Sequence, residues 1–197
     1  MMSNDLNIFL ILLSAMLVNN ILLIRFIALC SFFGISNSIK TSIGMGMAVI
    51  FVMVMATGVS WPVYHLMLVR LNLVYLRTAA FILTIATFVQ LEEMFIRKMF
   101  PPLYRAMGIY LPLIVVNCAV LAAAFLCIDY NLGFAKSMVY TVGVSLGYFV
   151  AIVMFAAIRE VVDYAPVPTL FKGYPIAFVT ASLMSLAFLG FKGLFGL

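Results

Sequence analysis

Three cysteines, Cys30, Cys118 and Cys127, are the side chains with the widest chemical range in this sequence. No two of them are spaced as C-x-x-C, so the usual spacing of a zinc site or a redox dithiol is absent from the sequence. A small packed hydrophobe is the simplest interpretation of each. Three thiols cannot complete a four-cysteine iron–sulfur site, so if two of them bind a cluster, a second subunit must supply the other ligands.

Two apolar segments contain asparagine, an unusual residue inside a membrane helix. Asn20 lies in the first segment, and Asn117 directly precedes Cys118 in a later segment that also contains Pro112. Such residues demand hydrogen-bond partners or free backbone groups, which a bilayer tolerates where a helix faces protein or a cavity. Two interpretations stay open: the asparagines bond to neighbouring helices, or they mark functional breaks in two helices.

An acidic pair, Glu92 and Glu93, lies just before Arg97 and Lys98. The pair could bind an ion within the membrane. The spacing of Glu93 and Arg97 favours an ordinary surface ion pair instead, because residues at i and i+4 are neighbours on a helix. The basic residues also place this end of the helix near the lipid headgroups.

Two other polar groups are predicted at helix ends. Arg159 is interpreted as part of a solvated helix end. His65 follows Trp61 and Tyr64, and a cluster of aromatic side chains at the membrane interface explains it better than a metal ligand or a proton relay does.

The composition excludes an ordinary soluble domain. The chain has 197 residues, of which 67% are hydrophobic and 9% charged, against roughly half apolar and a quarter charged in a typical soluble protein. So few charged side chains cannot cover a globule in water, and a lipid bilayer is the expected solvent. The net charge is +5, but the basic residues are scattered singly between apolar segments, which argues against nucleic-acid binding.

Charge-free runs predict six transmembrane helices, because a span needs about 20 apolar residues. The predicted spans cover residues 5–33, 40–69, 73–98, 103–127, 134–160 and 174–195. We therefore expect an all-α, polytopic membrane protein with a single integral membrane domain over residues 1–197. No cleavable signal peptide is predicted, so the chain is expected to begin near Met1. Six crossings place both termini on one side, and the excess of basic residues on the opposite side favours termini on the outer face.

A constant shift of 97 residues aligns the two halves of the chain. It pairs Asn20 with Asn117, Gly46 with Gly143, and Cys30 with Cys127. Each half, about residues 1–99 and 100–197, contains three predicted spans, an odd number, so the halves must have opposite orientations. The sequence predicts two inverted three-helix repeats about a pseudo-two-fold axis in the membrane plane, with interrupted first and fourth helices.

Several strings resemble one known family of membrane subunits. They are LVNN at 17–20, LCSFFGIS at 29–36, LPLIVVNCAV at 111–120, FPPLY at 100–104, FAAIRE at 155–160 and ASLMSLAF at 181–188. The family is shared by the Rnf complex, a ferredoxin:NAD⁺ oxidoreductase, and the sodium-translocating NADH:quinone reductase. The string at 72–83 is most similar to the Rnf branch, with the quinone-reductase branch as the alternative.

The resemblance implies a cofactor shared between two chains. In that family this type of subunit pairs with a homologous membrane subunit of opposite topology, of the Rnf E type, and the two hold an intramembrane 2Fe–2S cluster with two cysteines from each. Carried over by motif, the ligands here are Cys30 and Cys118. Cys127 falls outside the motif and is expected to be a packed thiol.

The implied function is electron transfer in a redox-driven ion translocase of a prokaryotic inner membrane, to which this subunit contributes without being catalytic alone. The cluster would relay electrons that ferredoxin delivers to other subunits toward flavins on the opposite face, while NAD⁺ reacts elsewhere in the complex. Translocation of Na⁺ or H⁺ would be coupled to this transfer, with Asn20 and Asn117 as polar lining of the ion path. A cofactor-free secondary transporter is the alternative that the inverted repeat alone suggests.

Overall fold

The computed structural model describes residues 10–18, 20–36, 38–68, 77–99, 117–164, 166, 168 and 172–194. Within these ranges the secondary structure is helical, with no strand. The helices are α1 (Leu29–Ile35), α2 (Ile39–Val63), α3 (Arg77–Met99), α4 (Cys118–Asp129), α5 (Phe134–Asp163) and α6 (Tyr174–Leu194), and π-helical segments cover Ser14–Val18 and Tyr64–Leu68. The predicted all-α class is confirmed.

The described helices follow the predicted spans closely. Helix α2 with its π-helical continuation, α3, α5 and α6 lie within a few residues of the spans predicted at 40–69, 73–98, 134–160 and 174–195. Two helical stretches, Ile39–Leu66 and Phe134–Asp163, are long and apolar enough to cross a membrane, and Thr78–Leu91, Cys118–Asp129 and Tyr174–Gly190 are shorter apolar helices. Most of the predicted fourth span, including Pro112, lies outside the described residues.

Local sequence sets both ends of α2. Ser38 caps its start, because the Ser38 side-chain oxygen accepts a hydrogen bond from the Thr41 backbone amide at 3.3 Å. Near the other end Pro62 removes one backbone donor from the helix. The chain then continues as the π-helical segment Tyr64–Leu68, a local widening of the helix.

The first predicted span is not one continuous helix. Helical geometry ends at the π-helical segment Ser14–Val18, and residues 20–28 form turns before α1 begins. Phe26 and Ala28 have positive φ angles of 53° and 69°. An L-residue in this left-handed region cannot continue a right-handed helix, so the predicted interruption of the first helix is confirmed.

The chain also departs from helical geometry directly before α4. Asn117 has an extended backbone, with φ −74° and ψ 113°, and Cys118 is the first residue of the helix. The Asn117 side chain accepts a hydrogen bond from the Ala119 amide at 3.0 Å, which is the geometry of a helix N-cap. A helix therefore does not run through Asn117, while the predicted interruption of the fourth span stays a prediction, because residues 100–116 lie outside the described residues.

Helices α2 and α5 form the antiparallel pair at the centre of the fold. A Cβ atom placed on Gly46 would meet the Phe149 ring, and one placed on Gly58 would lie 2.8 Å from the Met138 methyl. Rising residue numbers on α2 thus face falling numbers on α5. The shift of 97 residues relates these two helices to each other, so their opposite directions are what an inverted repeat requires.

Glycines on α5 let the N-terminal segment approach its backbone. A Cβ atom on Gly143 would lie 2.9 Å from the carbonyl oxygen of Leu12, and one on Gly147 would lie 2.7 Å from that of Met16. Small residues at such crossings allow close packing of helices in a membrane, where no hydrophobic effect drives helices together.

The unwound segment between the two halves of the first span is buried in the core. Ile21 is fully buried, and Leu22 and Leu23 are each 1% exposed. Buried backbone groups need partners. The Leu23 carbonyl accepts a hydrogen bond from the Ser185 hydroxyl of α6 at 2.7 Å, and the Ile27 amide donates to the Ile21 carbonyl at 3.2 Å. These bonds make a break tolerable at this depth.

Candidate functional site

The two predicted ligands are exposed, and each lies where a helix begins after an irregular segment. Cys30 is the second residue of α1, which starts after the left-handed Ala28. Cys118 is the first residue of α4, which starts after the extended Asn117.

Cys127 has a different environment. Its side chain is 1% exposed, and its sulfur lies 3.4 Å from the Thr141 hydroxyl oxygen and 3.7 Å from the Ser137 carbonyl oxygen. The expectation of a packed thiol is confirmed. Although the repeat pairs Cys127 with Cys30, the two differ in exposure, so the repeat does not extend to the surroundings of these thiols.

The hydroxyl of Tyr148, on α5, connects the regions of the two exposed cysteines. Tyr148 is fully buried, and its hydroxyl is 2.9 Å from the Ser31 hydroxyl, one residue beyond Cys30. The Asn117 side chain lies within hydrogen-bonding reach of this hydroxyl, and the Cys30 thiol lies close enough to interact with it electrostatically. The structure therefore brings the start of α1 and the start of α4 to one buried phenol.

The two repeat-related asparagines share one interaction and differ in another. Asn20 Oδ1 accepts a hydrogen bond from the Leu22 amide at 3.1 Å, as Asn117 Oδ1 does from the Ala119 amide. Asn20 Nδ2 donates to the Gly147 carbonyl at 2.9 Å. Asn117 Nδ2 is buried, and the Asn117 side chain lies within hydrogen-bonding reach of the Tyr148 hydroxyl. Both interpretations of Asn20 therefore hold: its side chain bonds to a neighbouring helix, and the residue lies at a helix break.

Arg159 was predicted, with Glu160 and Asp163, to form a solvated helix end. Helix α5 does end at Asp163 with both acidic residues exposed, but the prediction is wrong for Arg159. Its guanidinium is half-buried and donates hydrogen bonds to the Phe33 carbonyl at 2.9 Å and to the Ser36 hydroxyl at 3.0 Å. A cation is favoured at the C-terminus of a helix, where carbonyl groups lack partners. Arg159 therefore holds the end of α1, the helix that carries Cys30.

The other sequence predictions concern the rim of the fold. His65 stacks on Trp61 with ring centroids 4.1 Å apart and meets Tyr64 edge-on, so the predicted aromatic cluster is confirmed. The Trp61 indole also donates to the Leu132 carbonyl at 3.1 Å. The side chains of Glu92 and Glu93 lie outside the described residues, so their ion pairing stays a prediction.

Sequence reasoning missed Ser31 and Tyr148. Ser31 stands inside one of the strings that carried the family resemblance, and Tyr148 is a polar aromatic in the middle of a predicted span, so each had a weak signal. The described residues contain no group of three or more His, Cys, Asp or Glu side chains able to hold a metal ion. Two thiols from this chain can form at most half of a four-ligand site.

The fold defines a class of protein, a helical membrane protein, and this one carries two exposed thiols. The chain matches the family model described as "Rnf-Nqr subunit, membrane protein" over residues 8–195. It belongs to this family, and the expectation from the sequence strings is confirmed.

Curated relatives cover nearly the whole chain. A protein of Syntrophotalea carbinolica is 50% identical over 188 residues, which are 95% of this chain and 97% of the relative. One of Cronobacter sakazakii is 55% identical over 178 residues, 90% of this chain and 92% of the relative. One of Aeromonas salmonicida is 50% identical over 185 residues, 94% and 96% of the two chains. Each of the three is named as the A-type subunit of an ion-translocating oxidoreductase complex.

Proposed function

We propose that this chain is the A-type membrane subunit of an ion-translocating ferredoxin:NAD⁺ oxidoreductase complex. Membership of the family over residues 8–195 supports this assignment, as do the names of relatives that match it over nine-tenths of its length. Under this proposal the chain lies in a prokaryotic inner membrane with its termini on the outer face. Ferredoxin, NAD⁺ and the flavins act at other subunits.

The specific role that we propose is to supply Cys30 and Cys118 as two of the four ligands of a 2Fe–2S cluster. A homologous membrane subunit of opposite topology supplies the other two. The observation that carries this proposal is the contrast among the three thiols: Cys30 and Cys118 are exposed near one buried tyrosine, whereas Cys127 is packed inside the fold. Exposed thiols remain available to a partner chain.

The donor set fits such a cluster. Thiolate sulfur is the ligand that iron–sulfur clusters prefer, and two thiols from each of two subunits complete a four-cysteine site. A bound 2Fe–2S cluster accepts and returns one electron at a time. Other residues of this chain position the two thiols. Asn117 caps the start of α4, the helix that begins with Cys118. Arg159 donates a hydrogen bond to the end of α1, the helix that carries Cys30.

We further propose the complete architecture of six spans in two inverted repeats. Its supports are the antiparallel packing of α2 and α5, and the matching hydrogen bonds that Asn20 Oδ1 and Asn117 Oδ1 accept from backbone amides two residues ahead. A site between inverted repeats suits alternating access for Na⁺ or H⁺. Asn20 and Asn117 are the proposed polar lining.

The test is iron content and electron paramagnetic resonance on the purified complex. Cys30→Ser and Cys118→Ser are each expected to abolish one 2Fe signal, because a serine hydroxyl replaces an essential thiolate. Cys127→Ser is the matched control and should retain iron, since Cys127 is buried away from the exposed pair. Retention of the signal and of electron transfer in either ligand variant contradicts the ligand assignment, as does its loss in the control with the other two variants unaffected.

A further inference from the structure

A cavity of about 470 Å³ lies between the N-terminal segment, the end of α4 and the start of α5. Its volume is within the range of small-molecule sites, roughly 300–1,000 Å³. Leu10 and Tyr130 line it and are about half exposed, at 48% and 46%, so the cavity opens to the outside of the fold. The described lining is mostly apolar, with Ile11 and Leu132 in the wall. Such a cavity suits a ligand with an apolar part.

Tyr140 brings an unpaired polar group to the cavity wall. Its side chain is 5% exposed, and its hydroxyl has no hydrogen-bond partner among the described residues. Tyr148, further along the same helix, has its hydroxyl bonded to Ser31. A buried hydroxyl without a partner is unfavourable, so an unpaired one in a native fold calls for an explanation, such as a ligand. Because Tyr140 lines the cavity, a hydrogen-bond acceptor bound there would explain it.

Two basic side chains lie near this tyrosine. Lys136 lines the same cavity and is one turn before Tyr140 on α5. Arg25 donates a hydrogen bond to the Tyr130 hydroxyl at 2.8 Å and lies close enough to the Tyr140 hydroxyl to interact with it electrostatically. The described lining contains no acidic side chain, and Asp129, which precedes Tyr130 in the chain, is not part of it. The charges and the unpaired hydroxyl together favour an anion.

The cavity lies at the level of the aromatic cluster on the rim of the fold. Phe134, the first residue of α5, meets Trp61 edge-on with ring centroids 5.4 Å apart, and Trp61 stacks on His65. Aromatic side chains of this kind mark the boundary between membrane and water. Lys136 follows Phe134 by two residues, so its charge lies near the lipid headgroups. Basic pockets between membrane helices bind anionic headgroups.

We propose that this cavity binds an anionic phospholipid. The lipid phosphate accepts hydrogen bonds from the Lys136 ammonium and the Tyr140 hydroxyl, and the start of an acyl chain lies along Leu10 and Leu132. Arg25 adds positive charge behind Tyr130. The rest of the lipid extends out of the open side of the cavity. The inference requires only that the chain lies in a membrane, and it is independent of the proposed cluster.

The first measurement needs no variant. The purified complex is placed in nanodiscs that contain a phosphatidylglycerol analogue with a diazirine near the start of one acyl chain. After illumination, mass spectrometry should find the label on peptides of this chain that cover residues 10–14 and 130–140. Unlabelled phosphatidylglycerol should displace it, and phosphatidylcholine should not. Labelling of this chain only outside these peptides, or equal displacement by the two lipids, overturns the proposal.

A photo-cross-linking residue at Leu132 tests whether a protein occupies the cavity instead. In the intact complex it is expected to capture lipid. Capture of another subunit without lipid shows a protein interface at this place and overturns the proposal.

Variants of the polar lining test the contacts. Tyr140→Phe is expected to lower the affinity for phosphatidylglycerol about tenfold, because it removes a hydrogen bond to a charged group. It should leave the Tm of the lipid-free complex unchanged, since its hydroxyl has no described partner. Tyr148→Phe is the matched control and should do the reverse, lowering Tm and keeping the lipid affinity, because its hydroxyl is bonded within the protein.

A second pair of variants tests the charge. Lys136→Gln is expected to lower the affinity for phosphatidylglycerol about fivefold. Lys40→Gln is the control, because Lys40 is an exposed lysine in the first turn of α2 and does not line the cavity. Wild-type affinity in Tyr140→Phe, or equal losses in the two lysine variants, overturns the proposed contacts.

Discussion

The side-chain amide of Asn20 lies 2.9 Å from the carbonyl oxygen of Gly147, which joins the unwound part of the first span to the middle of α5. The contact depends on the absence of a side chain at position 147. A Cβ atom there would lie 2.7 Å from the Met16 carbonyl oxygen and 3.3 Å from Asn20 Nδ2. One glycine thus serves both the helix crossing and the hydrogen bond.

Gly147→Ala should therefore destabilise the complex by about 1–3 kcal/mol, the usual cost of forcing extra atoms into a packed crossing. The clash is with backbone, which cannot move aside as a flexible side chain would. The apparent Tm of the detergent-solubilised complex measures the effect. Gly44→Ala is the control, because a Cβ on Gly44 of α2 meets nothing within 4 Å. An equal decrease in Tm for the two variants would contradict the close backbone contact at Gly147.

Arg159 should be required for the stability of α1. Arg159→Gln removes a charged donor from the Phe33 carbonyl and the Ser36 hydroxyl, at an expected cost of about 1–3 kcal/mol. Glu160→Gln, at an exposed position of the same helix, is the matched control and should change stability little. Thermal unfolding of the two variants side by side makes the comparison. An unchanged stability of Arg159→Gln would contradict a stabilising role of these two hydrogen bonds.

The Tyr148 hydroxyl should be coupled energetically to Ser31. Tyr148→Phe removes only one oxygen, which bonds to the Ser31 hydroxyl, so we expect a loss of about 1 kcal/mol with the core otherwise unchanged. A double-mutant cycle with Ser31→Ala isolates the pairwise part, and additive effects would contradict the bond. Tyr174→Phe, at an exposed tyrosine, provides the control.

Removing the proposed cluster should change the reactivity of two thiols and leave the third unchanged. In the intact complex, Cys30 and Cys118 are expected to be protected by iron, and Cys127 by burial. After chelation and oxidation of the cluster, a maleimide should label the first two only, as read by mass spectrometry of the isolated chain. Labelling of Cys30 and Cys118 at full rate before iron is removed would contradict their role as ligands.

Several features of the fold could be predicted from local sequence, because charged residues are costly inside a bilayer and their positions therefore mark the ends of the spans. The charge-free run that predicted a span at 134–160 corresponds to Phe134–Asp163, and the asparagine that suggested a break before Cys118 caps α4. Arg159 was misassigned for the same reason that these predictions succeeded. A charge near the end of an apolar run normally indicates exit from the membrane. The sequence around Arg159 does not reveal that its guanidinium can reach the end of α1.

The sequence by itself determined an all-helical membrane protein, the approximate extent of most of its described helices, and its family. These follow from composition, from charge spacing and from contiguous motifs, all of which are local properties of the chain. Only the tertiary structure decided that Cys30 and Cys118 are exposed while Cys127 is buried, and that Tyr148 connects the two helix starts. Burial and hydrogen-bond satisfaction depend on which faces of distant helices meet, and the packing of α5 against the N-terminal segment and α2 decides that.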